Sequence, residues 1–109
     1  MAGETVNYCG KRWRSIRAAT LRRDEYLCQE CKRYGITATG TEVHHVLPVD
    51  QCNGQYQRLK YDNRNLITLC KDCHNAMHNR TDNTLTDCGE RLLRRRGVLN
   101  ILKPPLFEK

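Results

Sequence analysis

The stretch NLITLCKDCHNAMH, from Asn65 to His78, decides how this chain folds. It begins with a short run of apolar and β-branched residues, which predicts a strand. Two cysteines separated by two residues follow, and then two histidines four apart, a spacing that places both on one face of a helix. We expect Asp72 to cap this helix. The stretch therefore predicts a strand and a helix joined at candidate metal ligands.

A second stretch, EVHHVLPVD from Glu42 to Asp50, predicts another strand, closed by Pro48. It contains the neighbouring histidines His44 and His45. Strand side chains alternate between faces, so a purely structural role would rarely require both histidines. For both rings to serve one site, we expect a twist or bend near Pro48. A polar loop over residues 48–65, with an Asn-Gly turn signal, is expected to join the two strands.

The cysteine spacing predicts a structural zinc site. Two C-x-x-C pairs each allow one turn of chain to place two sulfurs on a tetrahedral ion, and a site closed by four sulfurs has no position for water. Free buried thiols or disulfides fit less well, and a thioredoxin-like redox pair fits least because no βαβ pattern surrounds the pairs. Cys9 and Cys88 could substitute as ligands, and Cys52 is left over. The four predicted ligands are Cys28, Cys31, Cys70 and Cys73.

The histidines predict a second metal site. One histidine alone would be read as an ordinary polar residue, but all four in the chain lie on the predicted strand and the predicted helix. The four are His44, His45, His74 and His78.

Composition indicates one small, basic domain. With 109 residues, the chain can bury only a modest core, which usually needs a metal or disulfides for stability. Nineteen Lys and Arg against twelve acids give a net charge of +7, which favours nucleic acid as a partner, ahead of a membrane surface or mere solubility. The polar N-terminal residues do not resemble a signal peptide and no segment is long enough to span a bilayer, so we expect a reducing cytoplasm.

Helices are predicted on both sides of this core. Residues 11–24 show apolar residues at helical spacing, with arginines mostly on the remaining surface, and residues 1–10 look like a loose leader. A second helix is expected from about Cys88 to Leu102, ended by Pro104 and Pro105. Gly97 would weaken its interior by about 1 kcal/mol relative to Ala.

Taken together, EVHHVLP, YDNRNLITLC and KDCHNAMH resemble the HNH endonuclease superfamily, with the three motif letters on His45, Asn65 and His74. The resemblance covers roughly residues 11–80. Within the superfamily, the chain is similar to small stand-alone nucleases of phages and bacteria, several of which are encoded beside terminase genes. It implies a small α+β fold: a ββα-metal (His-Me finger) core with a four-cysteine structural zinc and flanking helices. Residues 1–109 would form one nuclease domain, with residues 81–109 as a helical extension.

The resemblance also implies a role for each motif residue. His45 matches the general base that deprotonates the attacking water, while His44, His74 and His78 match ligands of one catalytic divalent ion. Asn65 matches a residue that ties the loop between the strands. Hydrolysis of a DNA phosphodiester by this one-metal mechanism would leave 5′-phosphate and 3′-hydroxyl ends.

The histidine ligands depart from many relatives, which carry Asp at the position of His44. Imidazoles suit Mn²⁺, Ni²⁺, Co²⁺ or Zn²⁺ better than Mg²⁺, although Glu42 could supply an oxygen. The expected partners are DNA and, if the chain is phage-encoded, terminase in the bacterial host cytoplasm. A zinc-stabilised binding module without chemistry, or a subunit active only with a partner, stays open. The basic residues expected to contact DNA are Arg58, Lys60, Arg64, Arg94, Arg95 and Arg96.

Overall fold

The computed structural model describes residues 6–79, 81–82 and 84–101 and has the predicted small α+β architecture. Two helices precede a two-stranded sheet, and two follow it. In chain order the elements are α1 (Lys11–Arg23), α2 (Gln29–Arg33), β1 (Glu42–His45), β2 (Leu66–Leu69), α3 (Lys71–Met77) and α4 (Asp87–Arg96). No helix among these residues is long and apolar enough to cross a membrane.

The sheet separates the two neighbouring histidines. β1 pairs antiparallel with β2, with His44 opposite Ile67 and His45 opposite Leu66. Leu66 packs with Trp13 of α1, whereas Ile67 belongs to the main core with α3. The register is regular through His45, so the bend expected near Pro48 is not needed within the strand. Instead, β1 is an edge strand, and a site beside this edge can be reached from both faces.

The segment between the strands is more ordered than the predicted polar loop. It forms three short 3₁₀ helices, Val49–Gln51, Gly54–Tyr61 and Asn63–Asn65. Leu59 and Cys52 are fully buried in it, which anchors the segment to the core. Apolar residues at these two positions explain why the segment packs down despite its polar composition.

The predicted N-terminal helix is confirmed as α1, but part of the predicted leader belongs to the fold. Val6 is only 4% exposed and packs with Trp13 and Leu66. The description of residues 1–10 as a loose leader was therefore wrong for Val6, and residues 1–5 lie outside the described residues.

The predicted caps of the later helices need correction. The Cys70 side chain, not Asp72, caps α3 by accepting the backbone N–H of Cys73. α4 ends at Arg96 because Gly97 adopts a left-handed φ of 64°, a common helix terminator, so Gly97 stops the helix instead of weakening its interior. A short 3₁₀ turn follows, and the predicted end at Leu102, Pro104 and Pro105 lies outside the described residues.

α4 packs directly on the end of α3. Leu92 and Leu93 enter the main core, and the Thr86 hydroxyl donates to the Ala76 carbonyl at 2.6 Å. A Cβ at Gly89 would lie 2.4 Å from the Met77 carbonyl oxygen, so only glycine permits this approach. The C-terminal extension thus supports the helix that carries the candidate ligands.

Candidate active site and metal clusters

The structure brings the four predicted zinc ligands together. The Sγ atoms of Cys28, Cys31, Cys70 and Cys73 all lie within 4.8 Å of one another. Cys31 Sγ is 3.7 Å from Cys73 Sγ and 4.0 Å from Cys70 Sγ, too far for a disulfide. A tetrahedral zinc with Zn–S bonds of about 2.3 Å requires sulfurs about 3.8 Å apart, so the four fit the ion.

Backbone N–H groups support these sulfurs as metal ligands. Cys31 donates its N–H to Cys28 Sγ at 3.4 Å, and Cys73 donates to Cys70 Sγ at 3.5 Å. Burial raises the pKa of the Cys28 thiol, but hydrogen bonds from backbone groups outweigh it and the pKa is lowered. Burial and the neighbouring thiols raise the pKa of Cys73. Four crowded sulfurs of this kind are stable as thiolates only around a cation.

Three of the four histidines form the second cluster. A ring nitrogen from each of His44, His74 and His78 lies within 4.8 Å of the other two. His78 does not share the face of α3 as predicted, because it follows the last helical residue and adopts an extended backbone. An isolated bridge to Leu85, just before α4, holds it beside the other two rings.

His44 provides the test of whether a metal fits this cluster. It is 1% exposed, and neither ring nitrogen has a hydrogen-bond partner among the described residues. Burial lowers the pKa of His44 well below its ordinary value, and His74 and His78 lower it further. A buried imidazole without a partner is unfavourable, and coordination of a cation would satisfy one nitrogen. The residues therefore fit a divalent ion.

Glu42 orients one ligand of this cluster. Its Oε1 lies 3.5 Å from Nδ1 of His74, and the carboxylate is 40% exposed. Burial lowers the pKa of His74, and the Glu42 charge opposes this. A carboxylate beside one ring nitrogen fixes the ring so that the other nitrogen can face a metal.

His45 lies in a different environment from its neighbour. Its ring stacks on Trp13, with centroids 5.2 Å apart and an interplanar angle of 17°, and its Nε2 lies 2.9 Å from the Lys60 carbonyl oxygen. Burial lowers the pKa of His45, while the Lys60 carbonyl raises it. Neither contact was predicted from the sequence. Trp13 is one of the apolar residues at helical spacing in residues 11–24, which predicts burial but not its partner, and no sequence signal marks a backbone carbonyl.

Asn65 joins the ends of the segment between the strands. Its Oδ1 accepts the Leu47 N–H at 2.7 Å, and its Nδ2 donates to the carbonyls of Leu47 at 3.2 Å and Leu59 at 3.1 Å. The side chain is fully buried. These bonds fix Lys60, and with it the carbonyl that contacts His45.

A cavity of about 490 Å³ opens beside the free edge of β1. All four histidines line it, together with residues from α1 and the segment after β1. Besides the histidines, its lining residues include Trp13, Arg17, Glu42 and Asp50. Arg17 is one of the arginines of residues 11–24 that were predicted to lie mostly on the surface away from the apolar stripe. Its position four residues after Trp13 on one helical face was the available signal.

The basic residues predicted to contact DNA do not line this cavity. Lys60 is 4% exposed, so its prediction as a surface contact was wrong. Arg64 is exposed but pairs with Asp62 at 2.7 Å, and Arg95 pairs with Glu30 at 3.0 Å. Five of the six are exposed: Arg58, Arg64, Arg94, Arg95 and Arg96.

A strand pair and helix that hold a histidine cluster beside a four-cysteine site define a ββα-metal protein, and comparisons with known proteins agree. A family model described as HNH endonuclease matches residues 28–80. The chain is 32% identical over 68 residues to a probable HNH endonuclease of Lactococcus phage SK1, covering 62% of this chain and 70% of that protein. The chain belongs to the HNH endonuclease family.

A solved structure is also similar. The HNH endonuclease of the deep-sea thermophilic bacteriophage GVE2, crystallised with a manganese ion, matches with a TM-score of 0.56 and 32% sequence identity. The match covers 62% of this chain and 70% of that one. The predicted family and fold are confirmed.

Proposed function

We propose that this protein is a metal-dependent endonuclease that hydrolyses DNA phosphodiester bonds at the histidine-lined cavity. The observation that carries the proposal is that a three-histidine metal cluster and a separately held His45 line the same cavity. The net charge of +7 suits a polyanionic substrate. One similar phage protein is named a probable HNH endonuclease and the other an HNH endonuclease, which supports nuclease chemistry.

His45 is proposed as the general base. A carbonyl oxygen only accepts hydrogen bonds, so the contact with Lys60 requires the proton on Nε2 and leaves Nδ1 with a free lone pair. The lowered pKa of His45 keeps the ring neutral near pH 7. Trp13 on the ring face and the carbonyl on the ring edge fix its orientation.

The proposed reaction breaks the bond between phosphorus and the 3′ oxygen. Nδ1 of His45 takes a proton from water, the water oxygen forms a bond to phosphorus, and the 3′ oxygen leaves and acquires a proton from solvent. The ends are a 5′-phosphate and a 3′-hydroxyl. A single divalent ion bound by His44, His74 and His78 would supply positive charge to balance the charge developing on the phosphate. Asn65 donates to the carbonyl of Leu59, the residue before Lys60, and is proposed as a positioning residue that does not contact the substrate.

The proposed ion is Mn²⁺, Ni²⁺, Co²⁺ or Zn²⁺ in preference to Mg²⁺, because the cluster offers three imidazoles. Glu42 is next to His74 and serves to orient that ligand. The similar GVE2 structure holds a manganese ion, one of the four ions proposed here. Structural zinc is proposed at the four cysteines, where the sulfur spacing fits that ion.

The remaining proposals concern the partner and setting. Arg58, Arg64 and Arg94–Arg96 would contact the DNA backbone outside the cavity, which gives affinity but no sequence choice. Residues 11–80 and the extension 81–109 would act as one domain. Both similar proteins come from phages, which is consistent with a site of action in the cytoplasm of a bacterial host. A role in DNA packaging beside terminase stays a prediction from the family resemblance.

A plasmid-nicking assay tests the proposal. Purified zinc-loaded protein would be titrated with Mg²⁺, Mn²⁺, Ni²⁺, Co²⁺ and Zn²⁺, beside His45→Ala with the same zinc content. We expect wild type to nick, with Mg²⁺ the weakest, and the variant to lose about 10²- to 10⁴-fold, as for a lost general base. Binding without cutting under every ion would favour a zinc-stabilised binding module. Equal cutting by both proteins would exclude His45 as the base.

A further inference from the structure

Arg17 is the one permanently charged cation that lines the active-site cavity among the described residues. It lies one helical turn after Trp13 on α1, so both side chains face the same side of the helix. Trp13 meets His45, and Arg17 meets the start of β1, where its Nη2 donates to the Thr41 carbonyl at 3.0 Å. The helix thus presents Trp13 and Arg17, one turn apart, to the site.

The guanidinium keeps most of its hydrogen-bonding capacity. It has five N–H donors, and the Thr41 carbonyl accepts from one nitrogen. No carboxylate among the described residues pairs with it, unlike Arg64 and Arg95. The single bond anchors the side chain at the cavity, and the remaining donors are available to a ligand. A guanidinium of this kind suits a phosphate, which can accept two parallel hydrogen bonds.

The charges around the cavity give Arg17 a specific purpose. Glu42 and Asp50 are the acids that line it, and a divalent ion alone would cancel their two charges. Arg17 therefore provides the net positive charge that attracts a singly charged phosphodiester into the site.

We propose that Arg17 contacts the non-bridging oxygens of the phosphate that is cut, and that this contact strengthens as charge develops during the reaction. The inference rests on the proposed function and adds a residue of this chain that binds the substrate. It also explains why α1, which lies outside the residues matched by the family model, belongs to the site.

The test compares Arg17→Gln with Arg17→Lys and with a matched control, Arg14→Gln. Gln keeps an N–H donor for the Thr41 carbonyl but removes the charge, whereas Lys keeps the charge. Arg14 is exposed on the same helix and does not line the cavity. Each variant would be measured for thermal unfolding, for zinc content, and for kcat and KM of plasmid nicking with Mn²⁺. Affinity for a short duplex would be measured as a function of salt in a His45→Ala background.

We expect Arg17→Gln to fold like wild type and to lose about 10- to 100-fold in kcat, the size expected for a lost hydrogen bond to a charged group. Its salt-dependence slope for DNA binding should fall by about one. Arg17→Lys should lose less, and Arg14→Gln should leave kcat unchanged.

Three results would overturn the inference. One is that wild type cuts and Arg17→Gln keeps both the wild-type kcat and the wild-type salt-dependence slope of DNA binding. A second is equal loss in Arg17→Gln and Arg14→Gln, which would mean that general charge alone matters. A third is a lowered unfolding temperature in the Gln and Lys variants with loss of activity in proportion, which would make Arg17 structural.

If wild type binds the duplex but does not cut, the slopes still decide the role of Arg17 while the nuclease proposal fails. If wild type neither cuts nor binds, both fail.

Discussion

The two metal clusters share α3 but are built in different ways. At its N-terminal end, Cys70 and Cys73 come from one C-x-x-C turn, and the Cys70 sulfur accepts a hydrogen bond from the Cys73 N–H. At the other end, His74 lies on the helix, His78 lies beyond it, and His44 comes from β1. The cysteine cluster is assembled from local turns, and the histidine cluster depends on tertiary packing. The first is suited to hold the fold, and the second to open onto a substrate cavity.

Loss of one cysteine ligand should have the largest effect. Cys70→Ser removes one of the four sulfurs while its hydroxyl can still cap α3, so we expect loss of zinc and, with it, of most helical signal. Structural zinc sites contribute on the order of 10 kcal/mol in small zinc domains, more than a domain of this size can spare. Circular dichroism and zinc content measure the outcome. Cys9→Ser, at an exposed free cysteine, serves as the control and should keep both. A folded, zinc-bound Cys70→Ser would mean that the cluster is not structural.

Nicking activity should depend on the stacking of Trp13 on His45. Trp13→Leu removes the ring that packs on His45, and we expect kcat for nicking to fall by roughly tenfold or more, as for a misplaced catalytic group. Trp13→Phe keeps an aromatic face and should retain most activity. Kinetics would be measured well below each unfolding temperature, where KM should change little. Equal kcat in the two variants would show that stacking does not position His45.

The support of α3 by α4 can be broken at Gly89. In Gly89→Ala, the new methyl group would collide with the Met77 carbonyl, so we expect destabilisation of about 1–3 kcal/mol by overpacking. Mn²⁺ affinity should weaken because Leu85 and His78 shift, while zinc stays bound. Denaturant unfolding and Mn²⁺ titration measure these effects. Glu90→Ala, exposed on α4, is the matched control, and an equally small effect in both variants would argue against the close packing.

The smallest effect is expected at Asp24. Burial opposes ionisation here, but hydrogen bonds from Arg23 and the Thr68 N–H outweigh it and lower the pKa of Asp24. A lowered pKa adds stability above the unfolded value near 3.9, and that stability is lost as pH falls through the folded value. Asp24→Asn should therefore cost about 1 kcal/mol at pH 6 and less at pH 3. Urea unfolding at both pH values tests this, and an equal cost at the two would contradict it.

The sequence predicted most of what is local. The cysteine pairs, both strands and α1 follow from spacing and periodicity, which act over a few residues. The motif residues His45, Asn65 and His74 could be picked out because their order along the chain is characteristic of the family, and their roles stay predictions. The position of His78 was harder to predict, since it depends on the bridge to Leu85.

Apart from the Cys70 cap of α3, the contacts that were missed are tertiary. Trp13 on His45, the Lys60 carbonyl at Nε2 and Arg17 at the cavity link residues far apart in the chain. Lys60 shows the reverse error, because its charge indicated exposure whereas the packing of neighbouring Leu59 buries it. Charge and periodicity describe one element at a time, so they do not reveal which side chains meet across elements.

The most direct measurement of the central claim compares wild type with His44→Ala. Both zinc-loaded proteins would be titrated with Mn²⁺, followed by electron paramagnetic resonance, and then assayed for plasmid nicking. We predict that wild type binds one Mn²⁺ and nicks, whereas His44→Ala keeps its zinc and fold but loses Mn²⁺ binding and activity together. Undiminished Mn²⁺ binding and nicking in His44→Ala would contradict the account. So would loss of zinc along with Mn²⁺, because the two clusters would then not be separate sites.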